Sequence, residues 1–238
     1  MSSAVPSPLI EMAGGVLIPQ LGFGTYKATS SEAYSSVRAA LDAGYRHIDT
    51  AEMYGNEPDV GRAIADSGLA RDEVFITSKL NNPFHEPAAA RRSFAQTLED
   101  LQVEAVDLFL IHWPMAKTTD YVATWRTMLE FQADGRARAV GVSNFEQKHL
   151  RAIIDATGVK PALNQIEIHP YLAQRELVDF DTELGIVTAS WSPLGRGALL
   201  PDPVPLRDAT IAARIRADGP LPGPLRIEAL RIEAPALA

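Results

Sequence analysis

The most constraining feature of this sequence is a rhythm. Seven short apolar, β-branched or aromatic runs, at 21–26, 45–50, 74–80, 106–113, 139–144, 162–168 and 186–192, alternate with longer amphipathic stretches. Strands separated by helix-length segments mean βα units around a parallel sheet. Helix starts are visible where Ser30, Ser31 and Glu32 precede Tyr34, Val37, Ala40 and Leu41, and where Asp120 precedes Val122, Trp125, Met128 and Leu129. Gly44, Gly135, Gly158 and Gly185 stand where a left-handed residue ends a helix. Ahead of the first run, 9–12 and 16–18 flank Ala13, Gly14 and Gly15 and predict a small hairpin.

A right-handed succession of βα units either opens into a doubly wound sheet or closes into an eight-stranded barrel. The Gly-x-Gly-x-x-Gly fingerprint of the open dinucleotide fold is missing: Gly22-Phe23-Gly24 lies inside the first strand and lacks the third glycine. The expectation is a (β/α)8 barrel of TIM type with an N-terminal hairpin. Only seven of its strands are recognisable.

Residues 197–238 differ from the rest. They contain no Lys, His, Ser, Asn, Gln, Met or aromatic residue and hold seven of the 17 prolines. This narrow alphabet is what an altered frame in GC-rich coding DNA yields. Leu225–Ala229 is repeated at once as Leu230–Ala234, a duplication with helix-forming capacity. The predicted division is a barrel over 1–196 and an atypical Pro/Ala/Arg-rich tail over 197–238, disordered or forming a short helix.

Composition removes several functions. With 22 Lys+Arg against 30 Asp+Glu, a formal charge of -8 and no dense basic cluster, the chain lacks the cationic surface that displaces counterions from a phosphate backbone. No nucleic-acid partner is expected. The absence of cysteine excludes disulfides, Cys-ligated zinc, iron–sulfur clusters and a thiol nucleophile, and no metal is expected. No basic segment leads into an apolar one at the N-terminus, and no window nears the ~18 apolar residues of a spanning helix. A soluble, cytoplasmic protein without a membrane partner is the expectation.

Polar residues recur at the ends of successive strands: Asp49, Lys79, His112, then Ser143 and Asn144. In βα barrels these ends form the rim at which active sites are built, so groups from separate strands face one volume. Tyr54, in the loop after Asp49, is placed to fold back over it. A phenol near neutrality is a poor acid, and a neighbouring ammonium stabilises the phenolate. Tyr54 beside Lys79 would then donate a proton, Asp49 would orient the lysine, and His112 would bond an oxygen gaining negative charge. Singly, each residue has an ordinary explanation as a cap, a solvated end or a rim histidine. Together they point to a barrel enzyme with acid–base chemistry, and proton delivery to a carbonyl oxygen during hydride transfer is one reaction the set suits.

Ordered motifs go further. Asp49-Thr50-Ala51-Glu52-Met53-Tyr54-Gly55-Asn56-Glu57, Ile76-Thr77-Ser78-Lys79, Leu110-Ile111-His112-Trp113-Pro114, Gly141-Val142-Ser143-Asn144-Phe145, Asn164-Gln165-Ile166-Glu167-Ile168-His169-Pro170 and Trp191-Ser192-Pro193-Leu194-Gly195 together resemble the aldo-keto reductases. The similarity is greatest to the bacterial 2,5-diketo-D-gluconate reductase branch and covers about 9–200. It implies an NADPH-dependent carbonyl reductase, with Tyr54 the general acid, Lys79 and Asp49 tuning it, and His112 orienting the carbonyl. It also implies that Ser143, Asn144 and Gln165 hold the nicotinamide carboxamide, that Trp191 stacks on the ring, and that Ser192, Leu194 and Gly195 belong to a pyrophosphate cradle. Tyr26, Trp113 and Phe23 are candidates for an apolar substrate wall.

The sequence departs from that pattern after the seventh strand. The family's eighth strand with its Lys-Ser motif, and the Arg-x-x-Glu-Asn segment that grips the 2′-phosphate, are not found. Preference for NADPH over NADH should weaken, because a dianion loses its charge-assisted hydrogen bonds. A small-molecule aldehyde, ketone or keto-sugar is the expected substrate, and the oligomeric state is left open. Two other readings stay open as well: a nucleotide-binding redox-sensing subunit with little turnover, and an inactive truncated reductase.

Overall fold

The computed structural model describes residues 7–193 and the backbone of Ile227–Leu230. An antiparallel hairpin of β1 (Leu9–Glu11) and β2 (Leu17–Pro19), with Ile10 opposite Ile18, opens the chain as expected. Seven strands follow in spatial as well as chain order: β3 (Leu21–Gly24), β4 (His47–Asp49), β5 (Phe75–Leu80), β6 (Val106–Ile111), β7 (Ala137–Ser143), β8 (Leu163–Glu167) and β9 (Val187–Trp191). Each neighbouring pair is parallel. Between them run α1 (Ser30–Asp42), α2 (Glu57–Ala65), α3 (Pro87–Asp100), α4 (Tyr121–Ala133), α5 (Gln147–Thr157) and α6 (Arg175–Leu184).

An eighth strand, β10 (Ile227–Leu230), pairs parallel with both β3 and β9 and closes the barrel. It comes from the duplicated segment, so the helical expectation there is corrected over these four residues. The physical reason is that β3 and β9 would otherwise each present a row of unpaired N–H and C=O groups, and a parallel segment satisfies both. The remainder of the tail, and with it Leu194 and Gly195, lies outside the described residues. No helix among the described residues is long and apolar enough to cross a membrane.

Local sequence sets the helix ends. The Thr29 N–H and hydroxyl both donate to Glu32 Oε2, at 2.8 and 2.6 Å, at the start of α1. Asp120 Oδ1 accepts from the N–H groups of Val122 and Ala123 at 3.1 and 3.0 Å at the start of α4. Gly158 and Gly185 end α5 and α6 at φ 72° and 70°, a region where a Cβ is costly.

Alternation along each strand sorts side chains between two cores. Ile48, Ile76, Leu80, Phe109, Ile111, Val140 and Val142 face outward and pack with helix residues such as Val37, Phe94, Trp125, Met128 and Ile153. Phe75, Leu108, Leu110, Ala139, Leu163, Val187 and Ala189 face inward, where Ile10, Met12 and Ile18 of the hairpin join them. The hairpin thus fills one end of the lumen. The same period of two puts Asp49, Lys79, Ser143, Gln165 and Trp191 on the inward side at the other end.

Candidate active site

The rim is assembled strand end by strand end. Asp49 is the last residue of β4, Lys79 the penultimate residue of β5, and His112 directly follows β6. Lys79 is fully buried, and its ammonium donates to Asp49 Oδ1 at 2.5 Å and to the carbonyl of Thr50 at 2.8 Å. The other carboxylate oxygen of Asp49 accepts from Gln165 Nε2 at 2.6 Å. Burial pushes the Asp49 carboxyl up, but the charges of Lys79 and His47 and the hydrogen bonds from Lys79 and Gln165 outweigh it and hold the group below the usual carboxylate range. With both of its oxygens engaged, the Asp49 carboxylate stays ionised at neutral pH.

Tyr54 reaches this pair because its loop is tied at both ends. It ends a short 3-10 turn, Glu52–Tyr54, whose Tyr54 N–H bonds the Ala51 carbonyl at 2.9 Å, and Gly55 leaves the turn at φ 67°. Before the turn, Thr50 Oγ1 accepts from Thr25 Oγ1 at 2.9 Å and donates to Asn56 Oδ1 at 3.1 Å. After it, Asn56 Nδ2 donates to the carbonyls of Thr25 and Ala28 at 2.9 and 3.1 Å. The Lys79 ammonium lies 5.3 Å from the centre of the Tyr54 ring. The His112 ring meets the Tyr54 ring edge-on at 5.8 Å, and Tyr26 stands 5.1 Å from it on another side. The four residues that sequence position singled out, and Tyr26 with them, are therefore one cluster.

The second set lies beside the first. Ser143, at the end of β7, donates through Oγ to the carbonyl of Gln165 at 2.8 Å. Asn144 Nδ2 donates to the His112 carbonyl and to Ser143 Oγ, both at 3.0 Å, while Asn144 Oδ1 accepts from Trp191 Nε1 at 2.9 Å. Asn144 holds φ at 62° and Ser192 at 52°, left-handed values in non-glycine residues at the rim. Ser192 is buried directly after Trp191. Amide and hydroxyl groups of both polarities beside an indole complement a carboxamide on an aromatic ring, so these residues fit a nicotinamide.

Two expectations about the wall resolve differently. Trp113, next to His112, is 41% exposed at the rim, as is Met53 at 43%. Phe23 does not join them: it faces outward into the sheet–helix core, with its ring 6.1 Å from that of Tyr45. Alternation explains this, because the inward neighbour is Gly22, where an added Cβ would lie 2.5 Å from His47 Nδ1.

Two ionisable groups around the site were not singled out in the sequence. His47 sits two residues before Asp49 on the same inward face, bonded through Nε2 to Thr77 Oγ1 at 2.9 Å. Burial, aided by the Lys79 charge and opposed by that of Asp49, lowers it to about 4, so it is neutral at pH 7. Period-two spacing from Asp49 was the signal that could have found it. Glu57 faces the other way, between barrel and helices, where it accepts from Ser78 Oγ at 2.5 Å and Thr97 Oγ1 at 3.2 Å. Burial pushes its carboxyl up to about 7 despite those bonds.

The family model that matches the chain is that of the Aldo/keto reductase family, over residues 20–209. An "Aldo-keto reductase" of Mycobacterium sp. (strain JLS) is 48% identical over 197 residues, covering 83% of this chain and 71% of that protein. "Methylglyoxal reductase DkgA" of Yersinia pestis is 46% identical over 191 residues, 80% of this chain and 68% of its own length. Among solved structures, a mutant of Gox0644 in complex with NADPH superposes with a TM-score of 0.80 at 38% identity, covering 88% of this chain and 76% of that one.

Proposed function

We propose, for a chain that belongs to the aldo/keto reductase family, that it reduces a small carbonyl compound to the alcohol with a reduced nicotinamide nucleotide, Tyr54 delivering the proton. The observation carrying this reading is the buried Lys79 ammonium, anchored on Asp49 at 2.5 Å and lying 5.3 Å from the Tyr54 ring. A fixed positive charge there favours the phenolate that remains once the proton has left, and being already in place it costs no reorganisation during the reaction.

Each residue has a task. Asp49 keeps Lys79 charged and aimed. His112, with its ring 5.8 Å from that of Tyr54, orients the carbonyl oxygen between them. Ser143, Asn144 and Gln165 hold the carboxamide of the nucleotide, and Trp191, fixed by its bond to Asn144, covers the ring. When bound, NADPH supplies the hydride that reaches the carbonyl carbon. Tyr26 and Trp113, with Met53 beside the mouth, give an apolar wall suited to the carbon skeleton of the substrate. A relative named a methylglyoxal reductase supports small 2-oxoaldehydes as first substrates to test, and the solved relative that holds NADPH supports that nucleotide. NADH is proposed as a second donor to test beside NADPH.

The test is turnover of methylglyoxal with NADPH or NADH, read as loss of nicotinamide absorbance, in the wild type and Tyr54→Phe. Turnover in the wild type and a loss of at least about 100-fold in the variant are expected. Equal rates in the two proteins, or nucleotide that neither binds nor is consumed, would overturn the reading.

A further inference from the structure

We propose that Gln165 is a positioning residue for proton delivery: it reaches across the barrel to hold the free oxygen of Asp49, and thereby couples the nucleotide side of the site to the Asp49–Lys79–Tyr54 relay. The proposal rests on the reductase reading and adds a connection that the separate roles of these residues do not contain.

The geometry is specific. In the strand order of the closed barrel, β4 and β8 are four places apart out of eight, so Asp49 and Gln165 stand on opposite walls. Their side chains meet in the lumen, Nε2 to Oδ2, at 2.6 Å. Both residues are 4% exposed, and Lys79 on the other carboxylate oxygen is 0% exposed, so water does not replace either bond cheaply. The Gln165 backbone is held in turn: its main-chain carbonyl accepts from Ser143 Oγ at 2.8 Å and from the Asn144 N–H at 2.9 Å. Ser143 and Asn144 therefore fix the backbone of Gln165, and its side-chain amide carries the contact on to Asp49, whose other oxygen holds Lys79.

The consequence is electrostatic. Among the described residues, the charged and titratable groups acting on Asp49 are His47 on its own strand and Lys79 from β5, with Tyr54 beyond the lysine and His112 beyond Tyr54. Of these, Lys79 is the group bonded to the carboxylate. The Gln165 N–H dipole neutralises part of the carboxylate charge that Lys79, Tyr54 and His112 experience, and it fixes the rotation that aims the other oxygen at Lys79. The hydrogen bond also contributes to holding Asp49 ionised. Without it, a bare buried oxygen increases the negative potential at Tyr54, and the phenol holds its proton more tightly.

The test uses phenol ionisation in the nucleotide-free full-length protein, followed by ultraviolet difference absorbance. The chain has six tyrosines, so the Tyr54 component is taken as the difference from the matching Tyr54→Phe protein. In Gln165→Leu that component should move to higher pH by roughly 0.5–1 unit, and the high-pH limb of kcat should move with it. The same substitution in an Asp49→Asn background should produce no further movement. Gln165→Asn, which keeps the amide but falls a methylene short, should give a smaller displacement and serves if Gln165→Leu does not fold. An unmoved Tyr54 component in both variants, with only NADPH affinity changed, overturns the proposal, as does an equal shift in the Asp49→Asn background. An absence of wild-type turnover sinks the reductase reading and leaves the phenol titration to decide the relay.

Discussion

Trp191 Nε1 donates to Asn144 Oδ1 over 2.9 Å, and Asn144 Nδ2 donates onward to the carbonyl of His112 at 3.0 Å. Three strand ends, those of β9, β7 and β6, are thereby joined through one side chain whose own backbone is left-handed at φ 62°. Asn144→Ala removes these bonds and the one to Ser143 Oγ and leaves a Cβ at a φ that costs about 1–2 kcal/mol in an L residue, whereas Asn144→Gly removes the bonds alone. Asn144→Gly is expected to melt above Asn144→Ala, and both should bind NADPH less tightly than the wild type by fluorescence titration. Identical melting of the two variants would contradict the strain argument.

The Lys79–Asp49 pair invites a stability cycle. Lys79→Met strands a carboxylate in a buried site, and breaking such a pair costs about 3–5 kcal/mol. Adding Asp49→Asn removes the stranded charge, so the double variant should regain much of the lost stability in urea while remaining inactive. If the double variant is no more stable than Lys79→Met, the pair does not hold its charge in the folded state.

Four buried groups set the response of stability to pH, and their signs oppose. Burial raises Glu57 and Asp181 to about 7, so the stability they favour is present below pH ~4 and is lost as pH rises towards 7. Burial lowers His47 and His85 to about 4, so their contribution is present above pH 6.5 and is lost as pH falls towards 4. The wild type should therefore show a shallow profile between pH 4 and 6.5. In Glu57→Gln/Asp181→Asn only the histidines remain, and stability should climb steadily over that interval. Urea unfolding at four or five pH values decides it, and parallel profiles for the two proteins would refute the assignment.

Closure by β10 predicts a consequence for shortened chains. A protein ending at Pro193 loses the segment that pairs with β3 and β9, leaving two bare edges that invite pairing between molecules. Light scattering should show concentration-dependent association, and the melting temperature should fall. A monomeric shortened chain with unchanged melting would show that the eighth strand adds nothing.

Much of this was legible in the residues because it is local. Short apolar runs alternating with helix-length stretches located all seven strands from β3 to β9, and the spacing of Asp49, Lys79, His112 and Ser143 from the strand ends brought them to one rim. Thr50 and Asn56, inside the quoted motif, turned out to be the ties that return Tyr54 to that rim. Phe23 faces the sheet–helix core instead of the substrate because its neighbour Gly22 takes the inward position against His47.

Other features follow no local rule. That Gln165 meets Asp49, and that Trp191 meets Asn144, depends on how far successive strands are staggered when the sheet closes, which brings together residues 116 and 47 positions apart. The strand at Ile227–Leu230 belongs to the same class, since a repeat with helical capacity becomes extended only where two open edges receive it. The order of residues determined which side chains face the lumen, because the alternation of a strand is a property of neighbouring residues. Only closure of the barrel decided which of them touch, because a hydrogen bond across the lumen depends on the position of every strand between its two ends.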